Sequence, residues 1–162
     1  MATGRTLMHN KLGTLLAGVL LALLPATALL ARSSPADPAP AHPELRGVLD
    51  EFGGEPGLVA LMDEFMAIML DNPELAPFFE FSDQARVKRE LVEQFCVILG
   101  GDCIYTGRDM VESHEGLAIT RGNFNALVED LQTAMDRQGI PFRAQNQLLA
   151  KLAPMHREIV ER

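Results

Sequence analysis

The sequence is poor in basic residues and has no alternating pattern of apolar and polar side chains. Three of its 14 Lys and Arg residues lie before position 33, so residues 33–162 carry 11 basic against 22 acidic side chains, a net charge of −11. An acidic chain repels nucleic acid and anionic membrane surfaces, so neither is an expected partner. No strand is expected without period-two alternation, and no internal repeat is present. An all-helical protein follows.

The N-terminal region lacks acidic residues and has the composition of an export signal. A basic start precedes an uncharged run over residues 12–31, in which Pro25 and the small residues Ala26 and Ala28 lie near the end. This pattern predicts a secretory signal peptide within residues 1–31. A run of 20 residues is also long enough for an uncleaved membrane anchor, although Pro25 favours the shorter hydrophobic core and cleavage. Either alternative places the rest of the chain outside the cytoplasm, in the periplasm or cell envelope, with membrane contact only through residues 12–31.

Residues 32–43 are rich in proline and alanine, which predicts an extended, solvated linker with His42 exposed to water. Residues 44–162 then form one domain of 119 residues, enough for a single core. Apolar residues spaced three and four apart predict helices over 44–52, 57–70, from Ser82 to Gly100, around His114, from Thr120 to Gly139 and over 141–160, the last kinked or split at Pro154. Ser82 and Thr120 are the candidate N-caps of their helices.

The segment from Tyr105 to Leu117 is the candidate functional centre. Met110, His114 and Leu117 would share one face of a short helix that Gly107 and Gly116 bound. A lone histidine on an apolar face is more often a satisfied core residue. A helix this short can also aim one imidazole at haem iron, which is commonly held by a single proximal histidine.

The third predicted helix carries an apolar stripe that has two interpretations. Val87, Leu91 and Phe95 follow one another at steps of four residues and have no polar side-chain atoms. Such a stripe is more often plain core than a cofactor wall. It is also what a flat, apolar macrocycle requires opposite its ligand helix, and Phe78 and Phe79 could supply the edge.

Several short motifs occur in one unbroken order over residues 44–162. They are Gly53-Gly54, Asp71-Asn72-Pro73-Glu74-Leu75, Phe78-Phe79, Leu99-Gly100-Gly101, Tyr105-Thr106-Gly107, the run His114-Glu115-Gly116-Leu117-Ala118-Ile119-Thr120, Phe124 and Leu152-Ala153-Pro154. With them the domain resembles the truncated haemoglobins, most closely their first group.

The resemblance implies a two-over-two helical sandwich around haem b, with His114 as the proximal iron ligand. The side chains expected around the haem are Phe78, Phe79, Val87, Leu91, Phe95, Tyr105, Met110, Leu117, Ile119, Phe124 and Val128. The implied function is reversible binding of a diatomic gas (dioxygen, nitric oxide or carbon monoxide), as in oxygen transport. Nitric oxide or peroxide turnover would be secondary and would need an unidentified reductase. The alternative is an exported globin-like module for haem transfer, electron transfer or protein interaction.

The distal side departs from the family pattern. In the truncated haemoglobins that this domain resembles, ligand-binding members have a tyrosine on the second helix and often a glutamine on the third. The matching positions in this chain are Met66 and Leu91, and Val87 lies one turn before Leu91. None of the three donates a hydrogen bond. Loss of a hydrogen bond to a charged acceptor costs about 1.5–3 kcal/mol, so we expect weak retention of dioxygen and less effect on carbon monoxide and nitric oxide. Met66 is either core filler or a thioether ligand that competes with gas.

The remaining candidates are secondary. Cys96 and Cys103 lack a Cys-x-x-Cys-His motif, so covalent haem attachment is not expected, and whether they form a disulfide stays open. His156 lies in a last turn that is expected to be exposed. The candidate partners for the haem propionates are Lys88, Arg89 and Arg108.

Overall fold

The structure, a computed structural model, describes residues 37–160. The predicted signal peptide or anchor and residues 32–36 of the predicted linker lie outside the described residues. The helices are α1 (Arg46–Glu51), α2 (Gly54–Asp71), α3 (Ala76–Phe79), α4 (Gln84–Ile98), α5 (Met110–His114), α6 (Arg121–Arg137), α7 (Phe142–Leu152) and α8 (His156–Ile159), with 3-10 turns at Pro43–Leu45 and Ala153–Met155. Residues 37–160 contain no strand, so the all-helical prediction is confirmed. No helix among them is both long and apolar enough to cross a bilayer.

The four long helices form two pairs. Helix α2 packs on α4, and α6 packs on α7, while α2 also contacts α6 and α4 also contacts α7. The short helix α5 packs against α8 at the end of the described chain. Two helical pairs in mutual contact are the two-over-two arrangement that the resemblance to the truncated haemoglobins implies.

Helix α2 supplies the centre of the core. Its buried residues recur at helical spacing and face both of its partners because the apolar face is wide. They are Leu58, Leu61, Met62, Phe65, Met66 and Met69. The helix begins sharply because its N-cap, Gly53, has a φ of +80°, a left-handed conformation that favours glycine.

The predicted helix ends are confirmed at two places and wrong at one. Thr120 caps α6 through a capping box with Asn123. Pro154 splits the last predicted helix, since α7 gives way to a 3-10 turn before α8. Ser82 is not the N-cap of α4; Asp83 is, because its carboxylate accepts from the backbone N–H of Arg86 at 3.0 Å.

The expectation of a solvated linker is wrong for part of residues 37–43. Ala39 is only 6% exposed, and the carbonyl of Pro38 accepts a hydrogen bond from Gln94 at 2.6 Å. His42 is also not free in water, because its Nδ1 lies 3.2 Å from both Lys151 Nζ and Glu44 Oε1. A proline-rich segment cannot form a helix or ladder of its own, but it can still pack against a preformed helical surface.

The two cysteines form a disulfide. Cys96 at the end of α4 and Cys103 in the following loop have Cα atoms 5.9 Å apart, within the range that a disulfide requires. The pairing that the sequence leaves open is therefore present. The bridge ties the C-terminal end of α4 to the segment that leads into α5.

Candidate functional site

Helix α5 places one imidazole at its last residue. The helix begins after Asp109, whose carboxylate accepts from the backbone N–H of Glu112 at 2.8 Å. Its final residue is His114, and the next residue, Glu115, has extended backbone angles. The helix is short, as the sequence predicts, but it ends at His114, so Leu117 lies outside it and the prediction that Met110, His114 and Leu117 share one helical face is wrong for Leu117. The backbone N–H of Leu117 instead donates to the carbonyl of His114 at 3.2 Å in the turn that follows.

The His114 ring is oriented by its own helix. Nδ1 lies 2.7 Å from the carbonyl oxygen of Met110, and because a carbonyl can only accept, the proton resides on Nδ1. The lone pair of Nε2 is then available to a metal, which is the tautomer that a histidine ligand needs. Burial lowers the pKa of His114, the bond to the Met110 carbonyl opposes that change, and the charge of Arg108 adds to it. The ring is therefore neutral at neutral pH.

Many of the predicted cofactor-lining residues are half-buried. They lie on the N-terminal halves of α4 and α6, on α3 and in the segment before α6. They are Phe78, Phe79, Val87, Leu91, Ile119, Phe124 and Val128. Half-buried apolar side chains still have apolar surface to lose from water, and a flat apolar group seated among them would bury it. These half-buried apolar side chains, and a neutral imidazole whose Nε2 carries the lone pair, are residue types that fit a haem.

Four other predicted lining residues have different surroundings. Phe95 and Met110 are 2% and 6% exposed and are covered by protein side chains, whereas Leu117 is 43% exposed. Tyr105 is half-buried, and its hydroxyl donates to the carbonyl of Arg108 at 2.8 Å, which braces the loop before α5. Burial raises the pKa of Tyr105, so its phenol stays protonated as a donor.

The three predicted distal residues lie on the packed helices α2 and α4. Met66 is 4% exposed and belongs to the core, while Val87 and Leu91 are partly buried and pack against that core. None of the three side chains contains an N–H or O–H group that could donate a hydrogen bond.

The prediction that His156 is exposed is wrong. Its ring is half-buried and packs edge-on against Phe124, with centroids 4.9 Å apart. This contact connects α8 to the start of α6, so the turn after Pro154 covers a predicted lining residue. A signal existed in the sequence, since His156 is one residue from the apolar Met155.

Two of the candidate propionate partners already have acidic partners. Lys88 Nζ lies 2.6 Å from Asp63 on α2, and Arg89 lies 3.7 Å from Glu93 one turn along α4. Arg108 lies beside α5, close enough for its charge to lower the pKa of His114. Of the three, Arg108 is the cation associated with the histidine.

Sequence reasoning missed one buried polar residue near the site. Gln94, on α4, is 5% exposed and contacts the carbonyl of Pro38 and the sulfur atoms of Met110 and Met155. Its position three residues after Leu91 on the apolar stripe was the available signal, because a polar residue on a buried face must find a partner.

Comparisons with known proteins agree with this arrangement. The family model described as bacterial-like globin matches residues 47–161. The group 1 truncated hemoglobin GlbN of Mycolicibacterium paratuberculosis is 31% identical over 131 residues, which are 81% of this chain and 91% of that protein. The group 1 truncated hemoglobin GlbN of a Nostoc species is 32% identical over 91 residues, 56% of this chain and 77% of that protein.

Solved structures share the fold. The truncated hemoglobin of Tetrahymena pyriformis in its Fe(III) form superposes with a TM-score of 0.67 at 21% identity and covers 71% of this chain and 98% of its own. A mutant of the group II truncated hemoglobin of Bacillus anthracis gives a TM-score of 0.63 at 24% identity and covers 71% of this chain and 91% of its own. The chain belongs to the bacterial-like globin family, and its cofactor is haem b.

Proposed function

We propose that this globin binds a small diatomic gas reversibly at haem iron that is held by Nε2 of His114. The supporting observation is the 2.7 Å hydrogen bond from Nδ1 of His114 to the Met110 carbonyl. This bond fixes the tautomer and the ring orientation, the two properties that an axial imidazole requires. Haem, when bound, supplies an open iron coordination position for the gas.

Other residues of the chain orient the imidazole, bury the haem faces and pair with a haem propionate. Met110 holds the imidazole, and Phe78, Phe124 and Val128 bury the apolar faces of the cofactor. Arg108 is the proposed partner of a haem propionate, because it lies beside α5 while Lys88 and Arg89 are paired with acidic side chains. The other candidates would have to break an existing ion pair first.

The distal face sets the gas preference. Met66, Val87 and Leu91 give the ligand an apolar space without a hydrogen-bond donor from those positions. Dioxygen depends on such a donor more than carbon monoxide or nitric oxide does. We therefore place this protein among gas binders with weak dioxygen retention. Turnover of nitric oxide or peroxide would need a reductase and is a secondary possibility.

Met66 could also reach the iron through its sulfur, but its burial favours a packing role. It is 4% exposed within the core that α2 forms with α4. Withdrawing this side chain toward the iron would open a cavity in that core, which is unfavourable. Absorption spectra of ferric and ferrous protein without added ligand test this point, since six-coordinate low-spin iron would favour ligation by Met66.

We further propose that the protein is exported to the periplasm or cell envelope. The composition of residues 1–31 supports this, and so does the disulfide between Cys96 and Cys103, because disulfides persist in oxidising compartments. A reporter fused after residue 43 would show the location, and a comparison of the N-terminus before and after export would separate cleavage from anchoring.

The haem site is tested by substitution of histidines in the full chain. The purified protein is reconstituted with hemin, and absorption spectra are recorded with and without carbon monoxide. We expect His114→Gly to lose the ligated spectrum and added imidazole to restore it, while His156→Ala, a half-buried histidine on α8, retains it. Loss of the spectrum in His156→Ala alone would contradict the proposal.

The same preparations separate gas binding from haem transfer. Tight, reversible carbon monoxide binding with slow haem release supports the gas binder. Rapid transfer of haem to an apoglobin acceptor, together with weak gas binding, would instead support the exported module for haem transfer or protein interaction.

A further inference from the structure

Gln94 is a buried polar residue that joins three separate segments. Its Nε2 lies 2.6 Å from the carbonyl oxygen of Pro38, 3.9 Å from the sulfur of Met110 and 3.8 Å from the sulfur of Met155. The bond to Pro38 is a full hydrogen bond, whereas the sulfur contacts are weak. With a side chain 5% exposed, Gln94 holds the N-terminal segment, α5 and the turn before α8 together.

Residues 37–42, here called the strap, are seated on the domain at further points. Ala39 is 6% exposed, and His42 contacts Lys151 of α7 at 3.2 Å. The strap also passes so close to position 100 that only glycine fits there, because a Cβ on Gly100 would lie 2.6 Å from the carbonyl oxygen of His42. The strap is therefore held at Pro38, Ala39 and His42, while Asp37 and Ala41 are exposed to solvent.

Met110 connects the strap to the histidine. Its sulfur contacts Gln94, and its carbonyl oxygen accepts the bond from Nδ1 of His114 at 2.7 Å. Met110 is 6% exposed, so it has little room to move independently of these neighbours. A continuous series of contacts therefore runs from the strap through Gln94 and Met110 to the bond that orients the imidazole.

We propose that Gln94 is a positioning residue that couples the strap to the iron–histidine bond. With the strap seated, Gln94 holds Met110, and the Met110 carbonyl keeps the imidazole aligned and electron-rich. Release of the strap loosens this carbonyl, weakens the iron–histidine bond and speeds haem loss. This inference rests on the proposed ligation of iron by His114.

The test uses the full chain in a mild detergent, reconstituted with hemin and reduced. Gln94→Met removes the amide but keeps a similar volume, and Ala39→Arg displaces the strap without touching Gln94. The matched control is Gln145→Met, because Gln145 is a buried glutamine on α7 whose Nε2 donates to a backbone carbonyl, that of Ile140, at 2.9 Å. The readouts are hydrogen exchange of the strap amides, the iron–histidine stretching frequency by resonance Raman, and the rate of haem release.

We expect Gln94→Met and Ala39→Arg each to speed strap exchange and lower the iron–histidine frequency. Haem release should rise roughly two- to tenfold, the range that loss of one ordinary hydrogen bond produces. The double variant should show no more than the larger single effect, since both changes break the same connection. Gln145→Met should leave the frequency unchanged.

Two results would overturn the inference. The strap could exchange freely in Gln94→Met while the iron–histidine frequency stays at the wild-type value, which would make Gln94 a purely structural residue. Alternatively, Gln145→Met could shift the frequency as much as Gln94→Met, which would indicate general loosening. The wild-type protein could also lack an iron–histidine band, or the band could persist in His114→Gly. Either result would show that His114 does not ligate the iron, and the proposed coupling would then be wrong as well.

Discussion

The Nδ1–H of His114 donates to the carbonyl oxygen of Met110 at 2.7 Å, between two residues of the same five-residue helix. The orientation of the imidazole therefore depends on α5 keeping its helical geometry. Helices this short are unstable in isolation, so α5 depends on its cap and on its packing against α8.

Asp109→Ala should loosen the haem. The substitution removes the N-cap bond to Glu112 and destabilises α5 by about 1 kcal/mol. Met110 is the first residue of that helix, and its carbonyl orients His114. We therefore expect haem release to accelerate roughly fivefold, measured by transfer to an apoglobin acceptor.

Asp83→Ala is the matched control, since it removes the corresponding N-cap bond of α4. Helix α4 has 15 residues and is packed on both α2 and α7, so it tolerates the loss of one cap bond better than α5 does. The haem-release rate of Asp83→Ala should therefore change less than that of Asp109→Ala. Equal acceleration in both variants would show that helix caps in general, and not α5 in particular, determine haem retention.

The apoprotein should lose stability on acidification because of His114. Burial lowers the pKa of this histidine below its usual 6.5, so below pH 6.5 the unfolded chain binds more protons at this position than the folded chain. Stability therefore falls as the pH drops below about 6.5 and stops falling from this cause once the pH is below the folded pKa.

The measurement compares thermal unfolding of the wild-type apoprotein with that of His114→Gln between neutral and acidic pH. We expect the unfolding temperature of the wild type to fall relative to that of His114→Gln as the pH drops, because glutamine does not titrate. Parallel curves would mean that the ring is solvated in the folded apoprotein. In the haem-loaded protein, protons and iron compete for the same lone pair, so haem loss should also accelerate on acidification, at a lower pH than the change in the apoprotein.

Local features of the site could be predicted from the sequence. A short helix lies between Gly107 and Gly116, Thr120 caps α6, and Pro154 interrupts the last helix. Each of these depends on residues within about one helical turn, so the physical cause is contained in the adjacent sequence.

Features that depend on distant segments could not be predicted in this way. Gln94 finds its partner in Pro38, 56 residues earlier, and His42 contacts Lys151, 109 residues later. Proline-rich composition excludes a helix in the strap but contains no information about the surface on which it packs. The disulfide was also undecided, because sequence spacing does not determine the distance between two Cα atoms.

Leu91→Gln should raise the affinity for dioxygen. Leu91 is half-buried on α4 at a position expected to face the gas, and glutamine adds an N–H donor at nearly the same volume. A hydrogen bond to a charged acceptor contributes about 1.5–3 kcal/mol, so we expect dioxygen dissociation to slow by roughly one to two decades. Stopped-flow kinetics of dioxygen and carbon monoxide dissociation would measure the effect.

Leu91→Met is the control because methionine fills similar space without a donor. Carbon monoxide dissociation should change little in either variant. An equal slowing of dioxygen dissociation by methionine would show that size at this position, and not hydrogen bonding, governs retention.

Reduction of the Cys96–Cys103 disulfide should destabilise the domain without unfolding it. The bridge closes a loop with a sequence separation of seven, for which the chain-entropy model gives about 2.5 kcal/mol. For a domain of this size, we expect the unfolding temperature to fall by on the order of 10 °C in the presence of a thiol reductant.

Reductant can reach the bridge in the folded protein because the two cysteines line a surface cleft of about 460 Å³ between α1 and the end of α4. The variant Cys96→Ala with Cys103→Ser should match the reduced wild type and show no response to reductant. Cys96 is 2% exposed, so alanine is used there to avoid burying a hydroxyl. Thiol titration would verify that the bridge is reduced. If the unfolding temperature of the wild type is then the same with and without the bridge, packing between α4 and the following loop already restricts the chain as much as the disulfide does.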